Sequence, residues 1–207
     1  MNRIITIGRE FGSGGRELGR RLAETLHMEY YDQEILGEIV KRTSFVASYI
    51  REIEARLPHA LYPITVGKTL LHIEDHSFQQ ARKVFQEQSQ ILRELAEKSD
   101  CVIVGRCGDY VLRSARPCRI FVYADLESRL QRCRARVTAQ EKWTDEELKR
   151  QIRRIDRNRG KYYSYHTEQA WGNKANYDLC VNTSGVPLKE LAASLAGLVG
   201  QYGFAGN

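Results

Sequence analysis

Apolar residues along the chain come in two styles, short unbroken runs and longer stripes at helical spacing, and the two alternate. Ile4, Ile5 and Ile7 form a run of the kind found in a parallel strand covered on both faces. Leu18, Leu22, Ala23 and Leu26 then recur at helical spacing, with Glu17 and Arg21, and Arg20 and Glu24, placed as i,i+4 pairs. A short strand near Glu29–Tyr31, a helix over Gln33–Arg42 and a second helical stretch over Phe45–Arg56 follow. Residues 57–66, "LPHALYPITV", hold two prolines and read as a loop or excursion.

Ser77 and Gln80 have the spacing of a capping box. Phe78, Ala81, Phe85, Gln88, Leu92 and Leu95 step by three and four, which predicts a long helix ending near Ser99. Cys101–Val104 and Ile120–Ala124 suit interior strands. Thr144 with Glu147 makes a second capping box, opening an arginine-rich helix whose apolar stripe is only Leu148, Ile152 and Ile155. So narrow a stripe predicts an element that packs lightly and can move. Leu179–Val181 makes a last strand and Leu188–Val199 a closing helix. Alternating elements of these lengths predict an α/β fold, a doubly wound parallel sheet that binds ligands at the carboxyl ends of its strands.

With 207 residues, 42% of them hydrophobic, the chain is long enough for one sizeable core, and a single domain over residues 1–207 is expected. Five cysteines include no Cys-x-x-Cys pair, so reduced thiols are expected rather than a disulfide framework or a zinc site. MNRIITIG has no apolar stretch of signal-peptide length, and nowhere do about 18 uncharged apolar residues run together. A cytoplasmic protein with no membrane partner is the expectation.

The net charge of +6 is local: residues 126–161 hold twelve Lys/Arg against six Asp/Glu, leaving twenty against twenty elsewhere. Nine of the twelve are arginine, whose planar fork suits bidentate contact with phosphate. One anion site is implied rather than a general basic surface. No stacking platform for nucleic acid is evident, so no nucleic-acid partner is expected.

The chemistry centres on "IGREFGSGGRELGRR", residues 7–21, between the first strand and the first helix. Backbone N–H groups at a helix start lack intrahelical partners and bind anions, and glycines let that backbone approach a phosphate. Gly12, Ser13, Gly14, Gly15, Arg16 and Glu17 are the candidate cradle, and a side chain at Gly14 is expected to occupy the anion's approach. A dinucleotide pattern from Gly12 would need its third glycine at Glu17. The mononucleotide pattern GxxGxGK[ST] fits better, but Arg9 falls on its first glycine, Gly15 on its lysine and Arg16 on its Ser/Thr. Arg16 stands where it could restore the missing charge. The other reading of these glycines is a plain turn between strand and helix.

Loops of the "SREFGSGGRE" type, with Gly8 here in place of the serine, make the chain resemble the cytidylate kinase-like family of P-loop proteins. The resemblance extends through "EYYDQEI" (29–35), "VIVGRCGDYVL" (102–112), "RIFVYADLESRLQR" (119–132) and "GKYYSYHTEQAWGNKANYDLCVNTS" (160–184), and is least secure over 44–76. It implies a P-loop nucleoside triphosphate hydrolase fold whose nucleoside monophosphate (NMP) kinase core carries an NMP-binding excursion, about 33–76, and a lid, about 132–167. It also implies phosphoryl transfer from ATP, with Mg2+ bridging the phosphates, to an NMP, foremost CMP or dCMP. No protein metal ligand is assigned.

Phosphoryl transfer is mostly positioning and charge stabilisation. Under the resemblance, Arg16, Arg132, Arg136, Arg154, Arg157 and Arg159 are the candidates for that role; a solvated, salt-bridged face is the alternative for the arginine run. On the acceptor side stand Asp32, whose other possible role is an N-cap, and Arg106, at the family's Gly-Arg-Asp although the aspartate has become Cys107. Asp109 is a nearby polar substitute. Arg42 lies one turn beyond Glu38, where the acceptor-gripping arginine falls in true cytidylate kinases. Arg159, Gly160, Lys161 and Tyr162 occupy the place of the cytosine-reading Asp-Ser-x-Arg, so CMP rests on analogy. His72 and His76 sit i,i+4 with no third metal ligand nearby. Tyr162, Tyr163 and Tyr165 are candidates for base stacking or for packing. Loss of the lysine and the hydroxyl keeps a second function open, a degenerate loop that senses nucleotide without turnover.

Overall fold

A computed structural model of the protein describes residues 2–32, 34–43, 47, 50, 65–66, 69–70, 76–136 and 143–201. The chain runs β1 (Ile4–Arg9), α1 (Gly15–Leu26), β2 (Glu29–Tyr31), α2 (Glu34–Arg42), then a small antiparallel pair, β3 (Thr65–Val66) and β4 (Thr69–Leu70). It continues through α3 (His76–Lys98), β5 (Cys101–Val104), α4 (Gly108–Val111), β6 (Cys118–Tyr123), α5 (Leu126–Arg134), α6 (Asp145–Thr167), β7 (Leu179–Asn182) and α7 (Leu188–Gly200). The five long-range strands are all parallel, in the order β2-β5-β1-β6-β7. This is the expected doubly wound α/β sheet with the P-loop fold, and the glycine loop leaves its central strand.

Alternation along β1 divides the core into two layers, because successive side chains of a strand point to opposite faces. Ile4 joins Cys101 and Ile103 under Ile35 and Ile39 of α2, Ile91 and Leu92 of α3, and Tyr162 and Tyr163 of α6. Ile5 and Ile7 join Val102, Val104 and Ile120 under Leu18 and Leu22 of α1 and Leu195 and Val199 of α7. A third, smaller cluster packs Leu130 and Cys133 of α5 on Leu148 and Ile152 of α6, with Phe11 of the glycine loop against it.

The capping box at Thr144 and Glu147 forms: the Thr144 N–H donates to Glu147 Oε2 at 2.8 Å and the Glu147 N–H to Thr144 Oγ1 at 3.3 Å. The first half of α6 carries the narrow stripe expected. Its second half is bound more firmly, since Tyr162, Tyr163 and Thr167 are buried. Tyr162 and Tyr163 are therefore core residues and not base-stacking platforms. α3 begins at His76, one residue before Ser77, whose side chain lies outside the described residues, as do His72 and most of Phe45–Arg56. Thr65–Val66, at the end of the stretch read as a loop, pairs with Thr69–Leu70; β-branched residues favour such pairing.

The Trp171-Gly172-Asn173 and Asn176–Leu179 segment covers one end of β6. Trp171 meets Phe121 edge-on at 5.3 Å, and Tyr177 lies tilted against the same ring at 4.9 Å. Asp178 accepts from the Arg119 backbone N–H and from its Nη2, each at 2.8 Å. Residue 8 must stay small beneath this cover: a Cβ there would lie 2.9 Å from Phe121 Cδ2 and 3.2 Å from the Tyr177 ring.

Candidate active site

The glycine loop is fixed at both ends before any ligand is considered. Gly14, at φ 82°, immediately precedes α1, and the first intrahelical bond runs from the Leu18 N–H to the Gly14 carbonyl. The N–H groups of Gly15, Arg16 and Glu17 therefore open the helix without intrahelical acceptors, the arrangement that binds anions. Earlier in the loop the Phe11 N–H donates to Asp156 Oδ1 at 2.7 Å, and the Phe11 carbonyl accepts from Arg129 Nε at 2.7 Å. Arg129 also bonds Glu10 and Asp156. The Ser13 carbonyl accepts from Thr183 Oγ1 at 2.7 Å, and Ser13 Oγ donates to the Glu10 carbonyl.

Above the loop lies a cleft of about 360 Å3, walled by the loop, by α5 and by α6. Leu148, Gln151, Ile155 and Arg159 face it from α6, at the spacing of one helical side. Arg132 and Arg136 face it from α5, and Trp143 stands at its rim, 43% exposed. Burial pushes the Glu10 carboxyl above its ordinary range, an effect that Arg129 partly offsets.

Several cations gather around one buried carboxylate. Asp32, at the end of β2, is ion-paired with Arg16, whose Nε lies at 2.8 Å, and is 3.8 Å from Arg9 Nη2. Arg159 Nη1 donates to the Arg9 carbonyl at 3.1 Å. Desolvation, with repulsion from Arg159, pulls the Arg9 guanidinium down to about 9. Arg159 falls to about 10, mainly through desolvation, while Asp156 holds it up. Arg106 is also lowered by burial and feels both Asp32 and Arg16. It sits in a left-handed run, Gly105 at φ 76°, Arg106 at 62° and Cys107 at 53°, a conformation kept only where the surroundings over-determine it. Four arginines against Asp32 and Asp156 leave an excess of positive charge suited to a polyanion.

The structure thus brings together Gly12, Gly14, Gly15, Arg16, Arg132, Arg136 and Arg159 in the cleft, with Asp32 and Arg106 in the adjoining charge cluster. Other sequence candidates fall elsewhere. Arg42 is held by Glu94 through Nη1 at 3.0 Å and Nη2 at 2.6 Å, on the outer side of α2. Asp109 is buried and accepts from Tyr163 Oη at 2.5 Å, which ties α4 to α6. Arg154 and Arg157 are exposed on α6 and do not line the cleft, because a helix turns them away from Ile155 and Arg159. A Cβ at Gly14 would strike Leu188 Cδ1 at 2.7 Å, so a side chain there meets α7 and not the anion's path.

Sequence reasoning missed Arg9, Glu10, Arg129, Asp156 and Thr183. Arg9 showed itself only as a mismatch to the first glycine of the pattern. Glu10 lies in the loop itself, and Arg129, Asp156 and Thr183 contact it from more than a hundred residues away, which no local spacing reveals.

Among the described residues no group of three His, Cys, Asp or Glu gathers to cage a metal ion, and position 16 offers a guanidinium in place of a hydroxyl. All five cysteines are free. No helix among the described residues is long and apolar enough to cross a membrane.

The fold is shared with solved proteins of low sequence similarity. An uncharacterized protein from Eubacterium ventriosum superposes with a TM-score of 0.67 at 22% identity, covering 97% of this chain and 99% of its own. Shikimate kinase from Bacteroides thetaiotaomicron gives 0.57 at 14% identity, covering 96% and 98%. Shikimate kinase from Acinetobacter baumannii, in complex with shikimate, gives 0.51 at 19%, covering 96% and 93%. No curated protein matches the sequence. The profile of the cytidylate kinase-like family does match, over residues 4–185. That span holds the glycine loop, both helices over it and every strand of the sheet, and the chain belongs to the cytidylate kinase-like family.

Proposed function

We propose that the protein is an ATP-dependent kinase that phosphorylates a nucleoside monophosphate, with CMP and dCMP as the leading acceptors. The observation that carries this reading is the excess of guanidinium groups around Asp32, set against a helix-opening loop at the carboxyl end of the central strand. An acceptor phosphate oxygen attacks the γ-phosphorus, the bond to the β–γ bridging oxygen breaks, and ADP leaves with that electron pair. No proton need move. Backbone N–H groups of the Gly12–Glu17 loop, those of Gly15, Arg16 and Glu17 foremost, would hold the donor phosphates, whose charge a bound Mg2+ would help neutralise, and Arg132, Arg136 and Arg159 would surround the transferring group.

Residues 132–167 serve as the lid, hinged on the buried Tyr162–Tyr163 end of α6. Arg154 and Arg157 act only if closure turns them inward. Asp32 and Arg106 face the acceptor. Membership of a cytidylate kinase-like family supports an NMP, while the engagement of Arg42 and Asp109 elsewhere leaves the grip on the acceptor phosphate to Asp32's neighbours and Arg106. Five free thiols suit a cytoplasmic enzyme.

The second reading, a sensor without turnover, is favoured by Gly15 and Arg16 at the lysine and Ser/Thr positions. One experiment separates them. Purified protein is incubated with ATP, Mg2+ and each NMP in turn, with shikimate as an added acceptor, and products are read by mass. Conversion of CMP or dCMP supports the kinase. Thermal stabilisation by ATP without any phosphorylated product supports the sensor.

A further inference from the structure

Two departures from the mononucleotide loop pattern face each other in space. A Cβ built on Gly15, the lysine position, would lie 2.6 Å from Arg9 Cβ, 3.1 Å from Arg9 Cγ and 3.3 Å from Val122 Cβ. Arg9 stands where the pattern has its first glycine. The stem of Arg9 therefore fills the space in which a side chain at position 15 would begin, and position 15 cannot take the pattern's lysine while Arg9 stays in place.

The guanidinium is held from the far side too. A Cβ at Gly105 would come within 1.8 Å of Arg9 Nη1, so a side chain there would displace the guanidinium, at a φ of 76° that itself favours glycine. The side chain is threaded between the ends of β1 and β5 toward Asp32 at the end of β2, reaches the cleft, and is only 16% exposed. Its Nε is buried with no hydrogen-bond partner among the described residues. A guanidinium carries five donors, and the ion pair to Asp32 at 3.8 Å is long. Arg16, by contrast, is half exposed and engages Asp32 directly at 2.8 Å.

We infer that Arg9 replaces the loop lysine, binding the γ-phosphoryl group of ATP from the end of β1, while Arg16 positions Asp32. The cation has changed flank within one loop, and Gly15 is the space it needs. Crowding among Arg9, Arg16, Arg106 and Arg159 is unfavourable without an anion, and a triphosphate relieves it. The inference rests on the kinase reading for its rate effect but not for its binding effect.

The test uses Arg9→Met, which keeps the stem and removes the charge, Gly15→Lys, the exchange R9G/G15K, and Arg16→Ala. Affinity for ATP and for ADP is measured by calorimetry, turnover by ADP release, and folding by thermal denaturation. Arg9→Met is expected to stay folded, to bind ATP no better than ADP, and to lose on the order of 100-fold in turnover, the effect of one lost contact to the transferring group. Gly15→Lys alone is expected to be destabilised and inactive, and R9G/G15K to recover at least ten-fold over it. Arg16→Ala should keep the parent's preference for ATP over ADP. The inference is overturned if folded Arg9→Met retains that preference, or if R9G/G15K folds yet gains nothing over Gly15→Lys. Should the parent phosphorylate no acceptor, the kinase reading falls while the ATP-to-ADP comparison still decides the role of Arg9.

Discussion

Asp156, in the middle of α6, accepts a hydrogen bond from the backbone N–H of Phe11 at 2.7 Å, across 145 residues of chain. Its other oxygen bonds Arg129, which in turn donates to the Phe11 carbonyl. The glycine loop is thus shaped by a carboxylate and a guanidinium that are both almost buried, 14% and 10% exposed. Removing Asp156 leaves Arg129 only Glu10 and the Phe11 carbonyl, so the cost falls below the ~3–5 kcal/mol of a fully stranded buried charge. Asp156→Ala is expected to lower the melting temperature and weaken ATP binding together. Asp156→Asn keeps an acceptor for Phe11 and should fall between. Calorimetry that found unchanged ATP affinity in a folded Asp156→Ala would remove the loop-shaping role.

Gly14→Val is expected to damage the fold itself. The new side chain would meet Leu188 at 2.7 Å in a backbone conformation of φ 82°, and steric overlap with left-handed strain together cost roughly 2–4 kcal/mol. Urea unfolding of the ligand-free variant reads this directly. Leu188→Ala should relieve the overlap but leave the backbone strain, so the double variant recovers only part of the loss. Unchanged stability of Gly14→Val would show that α7 yields easily at that contact.

Acid sensitivity should arise at His166. Its ring stacks on Phe85 at 4.0 Å and 7°, meets Tyr162 edge-on at 4.5 Å, and its Nε2 is buried without a hydrogen-bond partner among the described residues. Burial pulls it down to about 4. The unfolded chain takes up this proton below about pH 6.5 and the folded chain only near 4, so stability is full above pH 6.5 and declines as pH falls through that window. The loss reaches at most ~3 kcal/mol. His166→Phe should be less acid-sensitive than the parent, and a stability difference between the two that is equal at pH 7 and pH 4.5 would rule the effect out.

Trp143 at the rim of the cleft should report closure. Only two tryptophans are present, and Trp171 packs against Phe121. In a Trp171→Phe background, ATP with an acceptor is expected to shift Trp143 emission to the blue, as a lid that closes would remove it from water. Emission that stays constant at saturating ligand would mean that the rim does not move.

The alternation of unbroken apolar runs with helical stripes was enough to specify the parallel sheet, its helices and the capping box at Thr144, because burial and hydrogen bonding within an element depend on near neighbours in sequence. The glycines at 12, 14 and 15, and the concentration of arginine over 126–161, likewise marked the glycine loop and the helices over it. Tertiary structure alone decided which arginines matter. Arg129 and Asp156 pin the loop, Arg42 is taken up by Glu94, Asp109 by Tyr163, and Arg154 and Arg157 point away. Local spacing fixes which side of a helix a residue occupies, but not what the fold sets opposite it. The same limit hid the relation of Arg9 to Gly15: in sequence these are two mismatches to a pattern, and only the return of α1 over the end of β1 puts the Arg9 stem 2.6 Å from where a Cβ at position 15 would lie.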